Sequence, residues 1–223
     1  MEGTGVMFIV IEGIDGSGKT TQLAQLQKWF FEELGEMHVV ATKEPGGWDG
    51  SDCVRECLLN HDFHSSWSEF FLFMMDRCEH VARVVAPSLS QGKTVLSDRY
   101  IPSTLAYQLY GNTSVSKCDA LFISSELIPR LGFPLADVIF WLDVDVDVAR
   151  ERLLHRGSRN AFDEKGADYY RRVRDGYADI MGRGEFAEHW VRIEADQSEQ
   201  DVFDRIRETV FRILAVKTKK EEG

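Results

Sequence analysis

Gly13-Ile14-Asp15-Gly16-Ser17-Gly18-Lys19-Thr20 satisfies the pattern G-x-x-x-x-G-K-[ST], between an apolar strand-like run, Val6 to Ile11, and a helical pattern that starts near Thr20. This reads as a P-loop. Glycines let consecutive backbone N–H groups turn inward on a phosphate chain, and the helix behind them aims its positive dipole end at the same anion. The pattern predicts an ATP site built by Gly13, Ile14, Asp15, Gly16, Ser17, Gly18, Lys19 and Thr20. Lys19 is expected to reach the β- and γ-phosphates, and the Thr20 hydroxyl to hold Mg²⁺. A dinucleotide fingerprint, G-x-G-x-x-G, can be started at Gly16 and Gly18, but Thr21 occupies its third glycine position.

Further strand-like runs recur at His38–Thr42, Thr94–Asp98, Val138–Asp143 and Trp190–Glu194, separated by longer stretches of helical periodicity. That alternation predicts an α/β fold, a five-stranded parallel sheet wrapped by helices. Several runs end at a polar residue (Glu12, Lys43, Asp98, Asp143), as expected where C-terminal strand ends open onto a ligand crevice.

A length of 223 residues with 43% hydrophobic and 28% charged content suits one globular domain, residues 1–223. The formal charge of −11 argues against nucleic acid or an anionic membrane as the main partner, since either favours a basic face. Met1 to Gly5 carries no basic region and the apolar run after it is short, so neither a signal peptide nor a membrane span is readable, and the expected location is the cytoplasm. The four cysteines make no disulfide framework. Cys53, Cys57, His61 and His64 recur at helical steps but fit no zinc-site spacing, and small buried thiols on a helix explain the cysteines more simply. The tail from Lys217 to Gly223 reads as a frayed, solvated end.

Ser65 to Gln91 is the most legible helix, opening with Ser66-Trp67-Ser68-Glu69 as a capping box. At about 100° per residue, Trp67, Phe70, Phe71, Met74, Cys78, Val81 and Val85 form a single core-facing stripe. Phe73 and Arg77 lie one turn apart, off that stripe. A planar ligand with a polar edge needs such a pair.

After the third strand come Asp98-Arg99-Tyr100 and Ser103-Thr104-Leu105-Ala106-Tyr107-Gln108. Together with Glu44-Pro45-Gly46-Gly47, Phe73-Met74-Met75-Asp76-Arg77 and a P-loop containing Asp15, these motifs closely resemble the thymidylate kinase family, in the family's order and from Ile9 to about Tyr177. The resemblance implies the P-loop kinase fold with helices on both faces of the sheet, ATP and dTMP as substrates, Mg²⁺ as cofactor and a homodimer. It implies that Arg99 contacts the transferring phosphates and that Asp98 places Mg²⁺ through water. Arg55 is implied to hold the acceptor monophosphate, Phe73 to stack on thymine and Arg77 to donate to the base O4. Thr104 and Gln108 read the polar edge, Tyr107 closes the space at the sugar 2′ position, and Asp15 accepts from the 3′-hydroxyl. The Glu44–Pro45 bond is implied to be cis. The chain departs from many relatives in carrying Lys43 where they carry arginine.

Elementary chemistry supports these roles. Arginine presents a fixed fork of donors that suits phosphate oxygens and a carbonyl edge. A donor facing O4 welcomes thymine or uracil, and is left unpaired by the amino group of cytosine. Apart from Lys19 the P-loop has no basic residue, although phosphoryl transfer relies on cationic stabilisation. The run Arg150-Glu151-Arg152-Leu153-Leu154-His155-Arg156-Gly157-Ser158-Arg159 reads as a helix that breaks at Gly157 into a lid, about 155–166. Arg150 and Arg152 read as a solvated face. Arg156 and Arg159, flanking the glycine, are expected to join Lys19 and Arg99 as catalytic residues, an arrangement resembling that of family members with a lid arginine. Another nucleoside or nucleoside monophosphate kinase is the neighbouring alternative. A non-catalytic nucleotide switch is the distant one; the chain lacks the N-K-x-D guanine reader of a GTPase, and a switch gives Phe73, Arg77, Thr104 and Gln108 no task.

Overall fold

The computed structural model describes residues 6–35, 38–112, 119, 122–155, 165–183 and 186–221. In chain order, β1 (Phe8–Glu12) is followed by α1 (Lys19–Leu34), β2 (Val39–Lys43), α2 (Asp52–Asn60) and α3 (Ser66–His80). α3 passes through a π-helical turn, Val81–Val85, into α4 (Ala86–Ser90), which leads to β3 (Thr94–Asp98). Then come α5 (Ile101–Thr104), continued by π-helical Leu105–Gly111, and a further π segment, Ile123–Leu127, entering α6 (Ile128–Arg130). β4 (Ala136–Asp143), α7 (Val146–His155), α8 (Ala167–Arg183), β5 (Ala187–Glu194) and α9 (Glu199–Glu221) complete the described chain.

The sheet is parallel, five-stranded and ordered β2-β3-β1-β4-β5. The connection from β1 to β2 runs one way along it, and the later crossovers run the other. Right-handed crossovers therefore put α1 on one face and the helices between β2 and β5 on the opposite face. α9 joins α1, where Phe211 meets Trp29 with ring centroids 6.0 Å apart. Covered on both sides, β1 and β4 are almost wholly buried, Ile9, Val10, Val138, Ile139 and Phe140 completely so. The β1–β3 and β1–β4 junctions mark the point where chain direction reverses, and the P-loop leaves β1 there.

Several boundaries differ from the sequence reading. β1 begins at Phe8 and runs on to Glu12, because that carboxylate finds donors inside the protein. β2 extends to Lys43, which pairs with Asp98. β4 and β5 begin early, at Ala136 and Ala187, which pair with each other; β5 is an edge strand whose half-exposed residues blur the alternation. α3 begins at Ser66, one residue before a capping box opened by that serine requires. Ser65 is the N-cap and makes no side-chain cap bond, while Glu69 turns across to accept from Asn112 Nδ2 at 3.0 Å. Phe71 leaves the core stripe, 58% exposed beside Trp67, because α3 buries a narrower face than the pattern suggests. Cys53 is exposed and Cys57 half-buried, so the buried-thiol reading fails for this pair; no cluster of metal-ligating side chains occurs among the described residues. The tail is not frayed at its start: α9 carries through Lys217, whose ammonium donates to Val6 O at 3.2 Å. No described helix is long and apolar enough to cross a membrane.

Candidate active site

The P-loop is shaped by close approach. Gly13 has φ 146°, and a Cβ there would sit 2.7 Å from Leu142 O; a Cβ on Gly16 would collide with Ala149 O. Gly18, at φ 97°, caps α1 in the left-handed region that glycine adopts at little cost. Lys19 folds back to donate to Ile14 O at 2.9 Å. Burial, then the positive charge of Arg99, push its ammonium down to about 8. Thr20 Oγ1 donates to Asp98 Oδ2 at 2.9 Å, and Asp98 Oδ1 is buried without a hydrogen-bond partner among the described residues. An orphaned carboxylate oxygen beside a hydroxyl fits a hydrated divalent cation, which takes oxygen ligands.

Arg99 follows β3 with φ 80°, a left-handed conformation rare for a side chain of this size. The turn aims its guanidinium over the P-loop. Nη2 donates to Asp15 Oδ1 at 2.5 Å and Tyr107 Oη at 3.1 Å, and Nη1 to Ser103 Oγ at 2.9 Å and Gly13 O at 3.3 Å. Tyr107 Oη also accepts from the Asp15 N–H at 3.1 Å, and the Tyr107 ring faces the guanidinium at 4.8 Å. Desolvation opposes charge on Asp15, but Arg99 and Lys19 outweigh it and hold the carboxyl below its ordinary range. Beneath this cluster Glu12 accepts from Tyr100 N–H (2.7 Å), Ser103 Oγ (2.6 Å) and Tyr177 Oη (2.9 Å). Burial nevertheless pushes its carboxyl up.

The second cluster centres on Arg77, which is 2% exposed. Nε donates to Glu44 Oε2 at 2.7 Å, Nη1 to Thr104 Oγ1 at 2.7 Å, and Nη2 to Tyr100 O at 3.0 Å. Glu44 Oε1 meets His80 Nδ1 at 2.8 Å, and His80 Nε2 meets Thr42 Oγ1 at 2.6 Å. Burial opposes charge on Glu44, but Arg77 and His80 hold its carboxyl below the ordinary range. Phe73 is half-buried one turn before Arg77. The Glu44–Pro45 peptide is cis, as the resemblance implied. Arg55 Nη1 donates to Pro45 O at 2.5 Å, which places it beside the same turn. Asp76 ties that turn to α3, accepting from Gly46 N–H at 3.0 Å and Trp48 Nε1 at 2.9 Å.

The structure thus brings Lys19, Thr20, Asp98, Asp15, Arg99 and Tyr107 together, and separately Glu44, Arg77 and Thr104. Gln108 is buried in the π-helical turn after Thr104, and its amide donates to Glu69 at 3.4 Å. Arg156 and Arg159 lie outside the described residues, as does most of the expected lid. Arg150 is exposed, but Arg152 departs from the solvated-face reading: half-buried, it donates to Ala195 O at 2.8 Å. Sequence reasoning assigned no role to Glu12, Asp76 and His80. Each is a buried polar residue, and the signal in the sequence is proximity to Gly13 or Arg77.

A family model described as thymidylate kinase matches residues 11–206. The thymidylate kinase of Trichodesmium erythraeum (strain IMS101) is 33% identical over 228 residues, covering 93% of this chain and 96% of that protein. That of Wolbachia pipientis subsp. Culex pipiens (strain wPip) is 40% identical over 174 residues, covering 78% and 80%. The crystal structure of thymidylate kinase from Ehrlichia chaffeensis is similar with a TM-score of 0.71 at 33% identity, covering 92% of this chain and 99% of that one.

Proposed function

Because the chain belongs to the thymidylate kinase family, we propose that it moves the γ-phosphoryl group of ATP to dTMP, giving ADP and dTDP, within a single P-loop kinase domain over residues 1–223. A phosphate oxygen of dTMP forms the new bond to the γ-phosphorus as the bond to the bridging oxygen of ADP breaks. Catalysis of this step is chiefly positioning and charge stabilisation.

The observation that carries the reading is the buried Arg77 guanidinium, held beside Thr104 Oγ1 at 2.7 Å, with Phe73 one turn away. Phe73 stacks on the thymine and Arg77 with Thr104 reads its carbonyl edge, while Gln108 lines the same side. Arg55, beside the Glu44–Pro45 turn, holds the acceptor phosphate. Asp15 accepts from the 3′-hydroxyl, and Tyr107 closes the 2′ side. Lys19 and Arg99 meet the transferring phosphoryl group, and Arg156 and Arg159 add charge when the lid closes. Thr20 and Asp98 would hold Mg²⁺, Asp98 through water, and the ion would supply charge neutralisation for the phosphates. A homodimer is supported by Phe71 and Met75, 58% and 41% exposed one turn apart on α3. We place the enzyme in the cytoplasm, where both nucleotides are found, with neither nucleic acid nor membrane as partner.

The test is a coupled assay of diphosphate formation from dTMP, dUMP, UMP, dCMP, CMP, AMP and GMP with ATP and Mg²⁺. dTMP is expected to be preferred, with dUMP weaker by the roughly 1–3 kcal/mol of one methyl group in an apolar pocket. Comparable turnover of CMP or AMP overturns the assignment of the acceptor.

A further inference from the structure

We propose that His80 is a positioning residue for the acceptor base: acting through Glu44, it holds Arg77 in the orientation that leaves one guanidinium N–H for a pyrimidine carbonyl. The proposal rests on the reading of Arg77 as the base-edge donor.

Arg77 has five N–H bonds, and its partners allot them unequally. Nε donates to Glu44 Oε2 at 2.7 Å, Nη2 lies 2.7 Å from the same oxygen, and an Nη2 hydrogen goes to Tyr100 O at 3.0 Å. Nη1 gives one hydrogen to Thr104 Oγ1 at 2.7 Å and faces Met74 Sδ with the other at 3.6 Å. A thioether is a weak acceptor, so this last N–H is the least costly to redirect to a ligand. Its direction is fixed only while the Glu44 carboxylate keeps its plane.

His80 fixes that plane. Glu44 devotes Oε2 to Arg77 and Oε1 to His80 Nδ1 at 2.8 Å. A carboxylate with charge only accepts, so Nδ1 carries the hydrogen. The opposite ring nitrogen, Nε2, is 2.6 Å from Thr42 Oγ1. The hydroxyl donates to a neutral ring or accepts from a charged one, and in both states Nδ1–H points at Glu44. His80 is fully buried, three residues after Arg77 on α3, so both side chains leave the helix toward the same carboxylate. Without the Nδ1 donor, Oε1 would be a buried charged oxygen without its partner, next to a guanidinium already bound to Oε2 of the same carboxylate. The guanidinium would then turn into Glu44 and away from the base.

Steady-state kinetics of His80→Asn, His80→Gln and His80→Phe, with dTMP and dCMP as acceptors, test this. The asparagine amide nitrogen occupies the place of Nδ1; that of glutamine falls at Nε2. His80→Phe and His80→Gln are expected to raise KM for dTMP about tenfold and to narrow the preference for dTMP over dCMP about tenfold, with kcat and KM for ATP within about threefold of wild type. His80→Asn is expected to recover most of both losses. Wild-type KM and preference in His80→Gln, or equal impairment of His80→Asn and His80→Gln, overturns the proposal, and this pair decides even where His80→Phe does not fold. An Arg77→Lys variant with unchanged KM for dTMP, or a wild-type enzyme indifferent between dTMP and dCMP, instead overturns the underlying reading of Arg77.

Discussion

Nη2 of Arg99 lies 2.5 Å from Oδ1 of Asp15, joining the residue after β3 to the loop after β1. The two come from strands that are neighbours in the sheet, and Tyr107 Oη accepts from both residues, at 3.1 Å from each nitrogen. In the roles proposed above, Arg99 meets phosphate and Asp15 a sugar hydroxyl, yet here the two hold each other. Binding must separate or share them.

Tyr107 therefore has two separable tasks. Tyr107→Phe removes the acceptor for Arg99 but keeps the ring; it is expected to lower kcat by roughly 10- to 100-fold, about 1.5–3 kcal/mol for one hydrogen bond to a charged group, and to leave the preference for dTMP over its ribonucleotide counterpart unchanged. Tyr107→Ala is expected to narrow that preference. Identical substrate ratios in the two variants would remove the ring from sugar selection.

Phe73→Ala should raise KM for dTMP by about 1–3 kcal/mol, the usual value of a base on an aromatic ring, with KM for ATP little changed. Loss of both affinities together, or loss of folding, would return Phe73 to the core.

Glu44 links the site to acid stability. Its folded carboxyl lies below the ordinary 4.5 because Arg77 and His80 outweigh burial. A depressed acid contributes stability that is present above the unfolded value and lost as pH falls through the folded one. Urea unfolding of wild type should accordingly lose stability below about pH 4.5. Glu44→Gln should flatten that limb while lowering stability at neutral pH by about 3–5 kcal/mol, the cost of leaving Arg77 buried and unpaired. Asp15 is shifted in the same direction, so some slope remains. An acid limb of undiminished steepness in Glu44→Gln contradicts the pairing.

Lys19 predicts a proton-linked ATP interaction. Buried beside Arg99, its ammonium is pushed down to about 8, and a triphosphate favours the charged form. Calorimetry near pH 8.5 should show proton uptake on ATP binding, with affinity weakening as pH rises through about 8. Lys19→Met should bind more weakly and without that uptake. Binding enthalpies independent of buffer ionisation would exclude it.

Arg156→Ala or Arg159→Ala is expected to lower kcat about 10²-fold while dTMP binding stays nearly intact, the pattern of an interaction made mainly in the transition state. Near-normal kcat in the single variants and the double variant would leave the charge to Lys19 and Arg99.

The P-loop, the strand order along the chain and the family's motifs were legible in the sequence because each is local. A strand, a glycine turn and a helix start share a few consecutive residues, and the backbone N–H groups that cradle phosphate come with them. Periodicity put Phe73 and Arg77 off the core stripe of α3, yet Arg77 is buried on the same face as Phe70 and Met74, because its charge is paired inside the protein. It could not say what Arg77 would meet. Glu44 and Thr104 reach it from 33 and 27 residues away, and Glu12 collects Tyr177 from 165 residues away. Those partners depend on which crossover brings which strand end beside which helix, so tertiary structure alone decided that Arg77 is clamped by Glu44 and Thr104. The same reason accounts for Glu69, which reads as half of a capping box but serves Asn112 and Gln108 across the site. Phe71 reads as core yet stands exposed. Helical spacing gives a side chain's direction, whereas burial and charge pairing depend on what the fold sets in its path.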